Sequence, residues 1–132
     1  MKATIRELNQ PATFRISDRK EKYFRYQYTA VCYDGIRMYD AVTLRIYQTD
    51  ARSYCCMWVP GNTSSRNGSG NAGGYGYHRA SAAAAEAIHN AGFDLSEPIN
   101  GRGDGAIEDA VKAIAHAVWG ESIQVHVVKS NP

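Results

Sequence analysis

The stretch from Tyr23 to Val59 restricts the fold more than any other part of the chain. Phe24, Tyr26, Tyr28, Ala30 and Cys32 alternate with Arg25, Gln27 and Thr29. That period of two belongs to a strand with one covered face. Asp34-Gly35 follows and predicts a two-residue hairpin, because a type I′ turn needs positive φ at both central residues. The return strand carries Val42, Leu44 and Ile46 on one face and Thr43, Arg45 and Tyr47 on the other. A second turn is predicted at Thr49-Asp50-Ala51-Arg52. Ser53 to Val59 is apolar on both sides, which predicts a central strand ending at Pro60-Gly61. Upstream, Ala3 to Leu8 and Thr13 to Ser17 read as a short strand pair, and Asp18 to Lys22, which follows them, as a charged turn.

Beyond Pro60 the pattern changes. Twelve of the 17 residues from Pro60 to Gly76 are Gly, Ser or Asn, which predicts a long loop inside the domain. Ser81 to Ala91 is Ala-rich and stops at Gly92, the position where a helix favours a left-handed residue. So small a surface predicts a helix lying close on the sheet. Asp94 to Asn100, with Pro98, reads as a connector. Ile107, Ala110, Val111, Ile114 and Val118 then recur at helical spacing, opposite Glu108, Asp109 and Lys112. Asp104 is the expected N-cap and Gly120 the stop. Ile123, Val125 and Val127 alternate with Gln124 and His126 as one last strand.

The prediction is an α+β fold: a two-layer, largely antiparallel β-meander sheet with two helices packed on one face and a C-terminal strand. All 132 residues form a single domain, long enough to bury a core without metals or disulfides. No apolar run nears the roughly 20 residues of a membrane span. The early charges at Lys2, Arg6 and Glu7 break any signal-peptide core. A cytoplasmic protein that makes no membrane contact is expected.

Charge and cysteine usage exclude several classes. Fifteen Lys and Arg against 13 Asp and Glu give a net charge of +2. That balance fits neither a duplex-DNA binder, which carries a basic stripe, nor an acidic DNA mimic. Cys32, Cys55 and Cys56 are odd in number with an adjacent pair, which is no disulfide framework. Neighbours on a strand face opposite ways, so Cys55 and Cys56 do not share a metal. His78, His89, His116 and His126 show no zinc spacing with them. No metal and no cofactor is expected.

The chemistry-bearing features are the two glycine-rich approaches to the helices. Ten of the 12 glycines fall between Gly61 and Gly105. The first approach reads Gly73-Gly74-Tyr75-Gly76-Tyr77-His78-Arg79 and the second Asn100-Gly101-Arg102-Gly103-Asp104-Gly105. A helix N-terminus offers free backbone N–H groups and partial positive charge, and glycine lets an anion approach closely. Arg79 and Arg102 can close on that anion with a planar fork. Tyr75, Tyr77 and His78 can stack on a base, and Asn100 and Asp104 can accept from ribose hydroxyls. The candidate ligand-binding residues are therefore Gly74, Tyr75, Tyr77, His78, Arg79, Asn100, Arg102 and Asp104. The alternative is that these glycines only make turns and caps. Neither approach is a Walker A loop or a dinucleotide fingerprint.

No catalytic constellation is evident. Cys56 with His78 is the one thiol–imidazole pair considered, and nothing in the sequence ties the two together. Ser81 lacks the Gly-x-Ser-x-Gly elbow. His116 and Asp109 share a helix face without a linked nucleophile.

The β-meander, the Ala-Gly-Gly-Tyr-Gly-Tyr approach to an Ala-rich helix and the Gly-Arg-Gly-Asp-Gly approach to the second helix resemble small phage and mobile-element proteins. Within that set the layout from Tyr23 onward resembles the phage anti-Thoeris sponges that sequester cyclic ADP-ribose isomers. The resemblance implies a non-enzymatic oligomer that holds a nucleotide signal in a recessed pocket between protomers and so blocks host antiphage defence. Two other functions are open. One is an interaction module using Arg25, Gln27, Arg45 and Tyr47 against a host nuclease, a defence complex or nucleic acid. The other is a small nucleotide hydrolase. Self-association is expected as well. Ser53 to Val59 is apolar on both faces while the helices cover one, so Met57 and Trp58 surface is predicted to stay exposed and to drive a two-fold homodimer.

Overall fold

The computed structural model describes residues 1–6, 22–36, 38–59, 72–77, 79–99 and 104–131. Among the described residues seven strands and two helices follow one another: β1 (Ala3–Ile5), β2 (Phe24–Tyr33), β3 (Met38–Gln48), β4 (Arg52–Trp58), β5 (Ala72–Tyr77), α1 (Ala80–Asn90), β6 (Phe93–Leu95), α2 (Asp104–Trp119) and β7 (Gln124–Ser130). The main sheet has the order β5-β4-β3-β2-β7, and β1 and β6 form a separate two-stranded sheet. Every pairing is antiparallel. This is the expected α+β architecture.

The core sits between one face of the main sheet and the two helices. Tyr28, Ala30, Cys32, Val42, Leu44, Ile46, Cys55 and Met57 from the strands meet Ala83, Ala84, Ala87, Ile88, Val111 and Ile114 from the helices. Cross-strand neighbours share a face, which is why these alternate positions line up. Each large aliphatic side chain buried here stabilises the fold by about 1.5–3 kcal/mol. The alanines of α1 let its axis approach β4 and β5 closely, while α2 covers β2, β3 and β7. Gly92 (φ 96°) and Gly120 (φ 110°) end the two helices in the left-handed region.

Several local expectations are corrected. The Asp34-Gly35 hairpin is wider than two residues, because Tyr33 pairs with Met38 and the loop spans 34–37. Asp34 Oδ1 accepts from the Ile36 N–H at 2.9 Å, so a side-chain turn replaces the tight backbone turn. Phe24 does not share the face of Tyr28. A register shift between Phe24 and Tyr26 sets Phe24 opposite Tyr47, on the sheet face away from the helices. Trp58 is half-buried and Met57 is 0% exposed. The surface expected to drive association through Met57 is therefore closed within the chain.

Two strands stand where connections are expected. Residues 72–77, read as loop, form β5 and pair with β4. Residues 93–95, which overlap the start of the Asp94 to Asn100 connector, form β6 and pair with β1. β1 thus finds its partner some ninety residues away, and Thr13 to Ser17, its expected partner, lies outside the described residues. The turn at Thr49 to Arg52 is as expected: the Thr49 N–H donates to the Arg52 carbonyl at 2.9 Å, and the Thr49 hydroxyl accepts from the Arg52 N–H at 3.0 Å.

Candidate functional site

Helix α1 opens at Arg79, whose extended backbone (φ −129°, ψ 126°) marks it as the N-cap. Its side chain makes no capping hydrogen bond, and the first turn holds no acidic residue. The first helical bond runs from the Ala83 N–H to the Arg79 carbonyl at 3.4 Å. The N–H groups of Ala80, Ser81 and Ala82 therefore precede any intrahelical acceptor and carry the positive end of the dipole. Ser81 is 8% exposed.

A groove of about 500 Å³ starts at this end and runs along α1. Ala82, Ala85 and His89, on one helix face, form one side. Phe93, Pro98 and Ile99 face them. The helix is about 15 Å long, so the groove has a guanidinium at one end and an imidazole at the other. Its volume falls within the range of about 300–1,000 Å³ usual for small-molecule sites.

The far wall of the groove is β6 and the segment after it, and β6 is held by a fold-back of the N-terminus. β1 pairs with β6 in the register Ala3–Leu95, Thr4–Asp94 and Ile5–Phe93. Arg6 locks this sheet to the end of α1. Its backbone N–H donates to the Gly92 carbonyl at 2.7 Å, and its guanidinium Nη2 donates to the His89 carbonyl at 2.6 Å. That last-turn carbonyl lies at the negative end of the helix, where a cation is favourable. Lys2 adds two bonds to Ser96: its N–H donates to the hydroxyl at 2.8 Å, and its carbonyl accepts from the Ser96 N–H at 2.8 Å.

Charge in the groove is uneven. Asp94 and Glu97 line it, but each has a cation beside it. Arg6 Nε lies 3.5 Å from Asp94, and the amino terminus lies 3.8 Å from Glu97. Arg79 and the open first turn of α1 together give their end of the groove a preference for anions.

The expected site residues separate clearly. Arg79 lines the groove. Gly74, Tyr75 and Tyr77 sit on β5 rather than in a loop around the helix start, with register partners Cys55, Tyr54 and Arg52. A phosphate cradle built from the glycines of this approach is thereby replaced by a strand that runs up to α1. Asp104 is the first residue of α2 rather than its N-cap. His78, Asn100 and Arg102 lie outside the described residues. Asn100 directly follows Ile99, which lines the groove. The residues that sequence reasoning missed are Phe93, Pro98 and His89, none of which belongs to a helix approach.

The alternative contact face is less open than expected. Arg25 is exposed, but Tyr47 is 1% exposed. The Arg45 guanidinium lies 3.9 Å from the Phe24 ring centroid and 5.5 Å from that of Tyr47, a stacked cation–π arrangement within the chain.

All three cysteines are buried and none is in a disulfide. Burial, with a smaller contribution from the neighbouring Cys56 thiol, pushes the Cys55 thiol well above its ordinary range. Burial pushes Cys32 up as well. A thiol held protonated is a poor nucleophile. Among the described residues no group of three or more His, Cys, Asp or Glu is placed to hold a metal ion, and no helix is long and apolar enough to cross a membrane.

No family model, curated protein or solved structure matches the chain.

Proposed function

We propose that the chain is a binding protein that captures a small phosphate-bearing nucleotide and leaves it chemically unchanged. The observation that carries this reading is the 500 Å³ groove opening onto the uncapped N-terminus of α1, with Arg79 at its mouth. A phosphate seated there accepts from the first-turn N–H groups and from the Arg79 guanidinium. The apolar wall at Pro98 and Ile99 suits the flat face of a base. Asp94 and Glu97 offer acceptors to ribose hydroxyls. The resemblance noted in the sequence makes cyclic ADP-ribose isomers the first ligands to try. Capture of such a signal in the host cytoplasm would silence the antiphage defence that depends on it.

The test is capture and release. The protein is incubated with ADP-ribose, cyclic ADP-ribose isomers and cyclic mononucleotides, separated from free ligand, heated and the released material analysed. Intact ligand near one per chain is the expected result. An altered ligand would make the protein an enzyme, and no retained ligand would remove the nucleotide reading.

A further inference from the structure

Among the described residues the last strand, β7, has an unpaired edge: it pairs with β2 alone and is the terminal strand of the five-stranded order. Its register with β2 runs without a shift from Gln27–Ser130 to Tyr33–Gln124, whereas β2 and β3 contain two shifts. Gln124, His126, Val128, Lys129 and Ser130 are exposed. A straight, seven-residue edge offers a row of N–H and C=O groups to another strand.

Proteins usually blunt such an edge with a bulge, a proline or an outward lysine. β7 has neither bulge nor proline. Its one lysine is turned onto its own sheet: Lys129 Nζ lies 4.4 Å from the Tyr26 ring centroid and 5.8 Å from that of Tyr28. The edge is also apolar on its helix side and carries one exposed valine on the other. Trp119, Ile123, Val125 and Val127 form a half-buried margin against the core on the helix side. Val128, 41% exposed, stands on the opposite side.

We propose that β7 pairs antiparallel with β7 of a second copy of this chain, making a two-fold dimer with one continuous ten-stranded sheet. The strand is self-complementary in the register centred on Val127. There Val127 meets its own symmetry mate, His126 meets Val128, Val125 meets Lys129, and Gln124 meets Ser130. No two like charges face each other, and apolar side chains meet across the axis on the helix-covered side. An isologous contact of this kind closes on itself and leaves no further β7 edge to propagate. The dimer does not depend on the groove or on any ligand.

The test uses the full chain and light scattering across the micromolar range. The expected mass is twice the 14.5 kDa of one chain. The double variant His126→Lys, Val128→Lys sets two lysine pairs across the axis, and like charges directly opposite are destabilising. It should fall to the single-chain mass and still unfold in one cooperative transition, since both positions are exposed, with a melting temperature lower only by what the lost association contributes. The variant His126→Glu, Val128→Glu should likewise be monomeric. An equimolar mixture of the two should recover the doubled mass. A monomeric wild type would overturn the proposal, as would a dimer that survives both variants or a mixture that stays monomeric.

Discussion

Replacing Arg6 with Ala removes the clamp that holds the β1–β6 wall against α1. Three side-chain interactions are lost: the 2.6 Å bond to the His89 carbonyl, a long 3.4 Å contact to His89 Nδ1 and the 3.5 Å ion pair with Asp94. Hydrogen bonds to charged groups contribute about 1.5–3 kcal/mol when shielded from water. Arg6 and Asp94 are 42% and 53% exposed, so the bond is worth nearer 1 kcal/mol and the pair between about 0 and 1. The backbone bond from Arg6 to Gly92 survives the substitution. The total is about 1–2 kcal/mol, or a melting temperature lower by about 4–8 °C for a chain of this size. Thermal unfolding followed by circular dichroism measures the loss. Amide exchange locates it, with faster exchange expected at Ala3–Ile5 and Phe93–Leu95 and little change in β2–β4. A melting temperature within about 1 °C of wild type, with unchanged exchange in β1 and β6, would refute the clamp.

Arg79→Ala should weaken nucleotide binding by about 10- to 150-fold, the equivalent of one charge-assisted bond, and shift stability by no more than about 0.5 kcal/mol; paired calorimetry and melting measure both. Arg79→Lys should rescue only partly, because a point charge does not reproduce the planar fork. Leu44→Ala removes a fully buried side chain and should cost about 2–5 kcal/mol in denaturant unfolding. The raised thiols of Cys32 and Cys55 ionise later in the folded chain than in the unfolded one. Their contribution to stability is therefore complete below the ordinary thiol value of 9.0 and declines as pH rises above it; urea midpoints across pH 7–11, compared with a Cys55→Ala chain, show the difference.

The elements with strong periodicity were legible in the sequence. Val42, Leu44 and Ile46 alternate over a whole strand, and Ile107, Val111 and Ile114 repeat at helical spacing, so burial pattern and secondary structure agree. Gly92 and Gly120 mark the helix ends because only glycine adopts their positive φ readily. β5 was hidden by its composition, since glycine is depleted in strands. Its signal is the placing of small residues at 72, 74 and 76 against Tyr75 and Tyr77. That alternation sets glycine opposite Cys55 and Ser53, on the side where α1 packs closely. β6 is three residues long, too short for any period, and its partner is at the other end of the chain. The groove was half legible for the same reason. Arg79 announces itself as a cation before a helix. Phe93, Pro98 and His89 reach the groove from a strand, a connector and a helix in turn, and no single period links those positions.

A titration of isotope-labelled protein followed by amide resonances tests the central claim most directly, because it asks both whether a nucleotide binds and where. With a cyclic ADP-ribose isomer as ligand, the largest shifts are predicted at the amides of Ala80, Ser81 and Ala82. Smaller ones are expected along Phe93 to Ile99, saturating near one ligand per chain. Unmoved first-turn amides at saturating ligand, or shifts gathered on the sheet face around Arg45 and Tyr47, would contradict it.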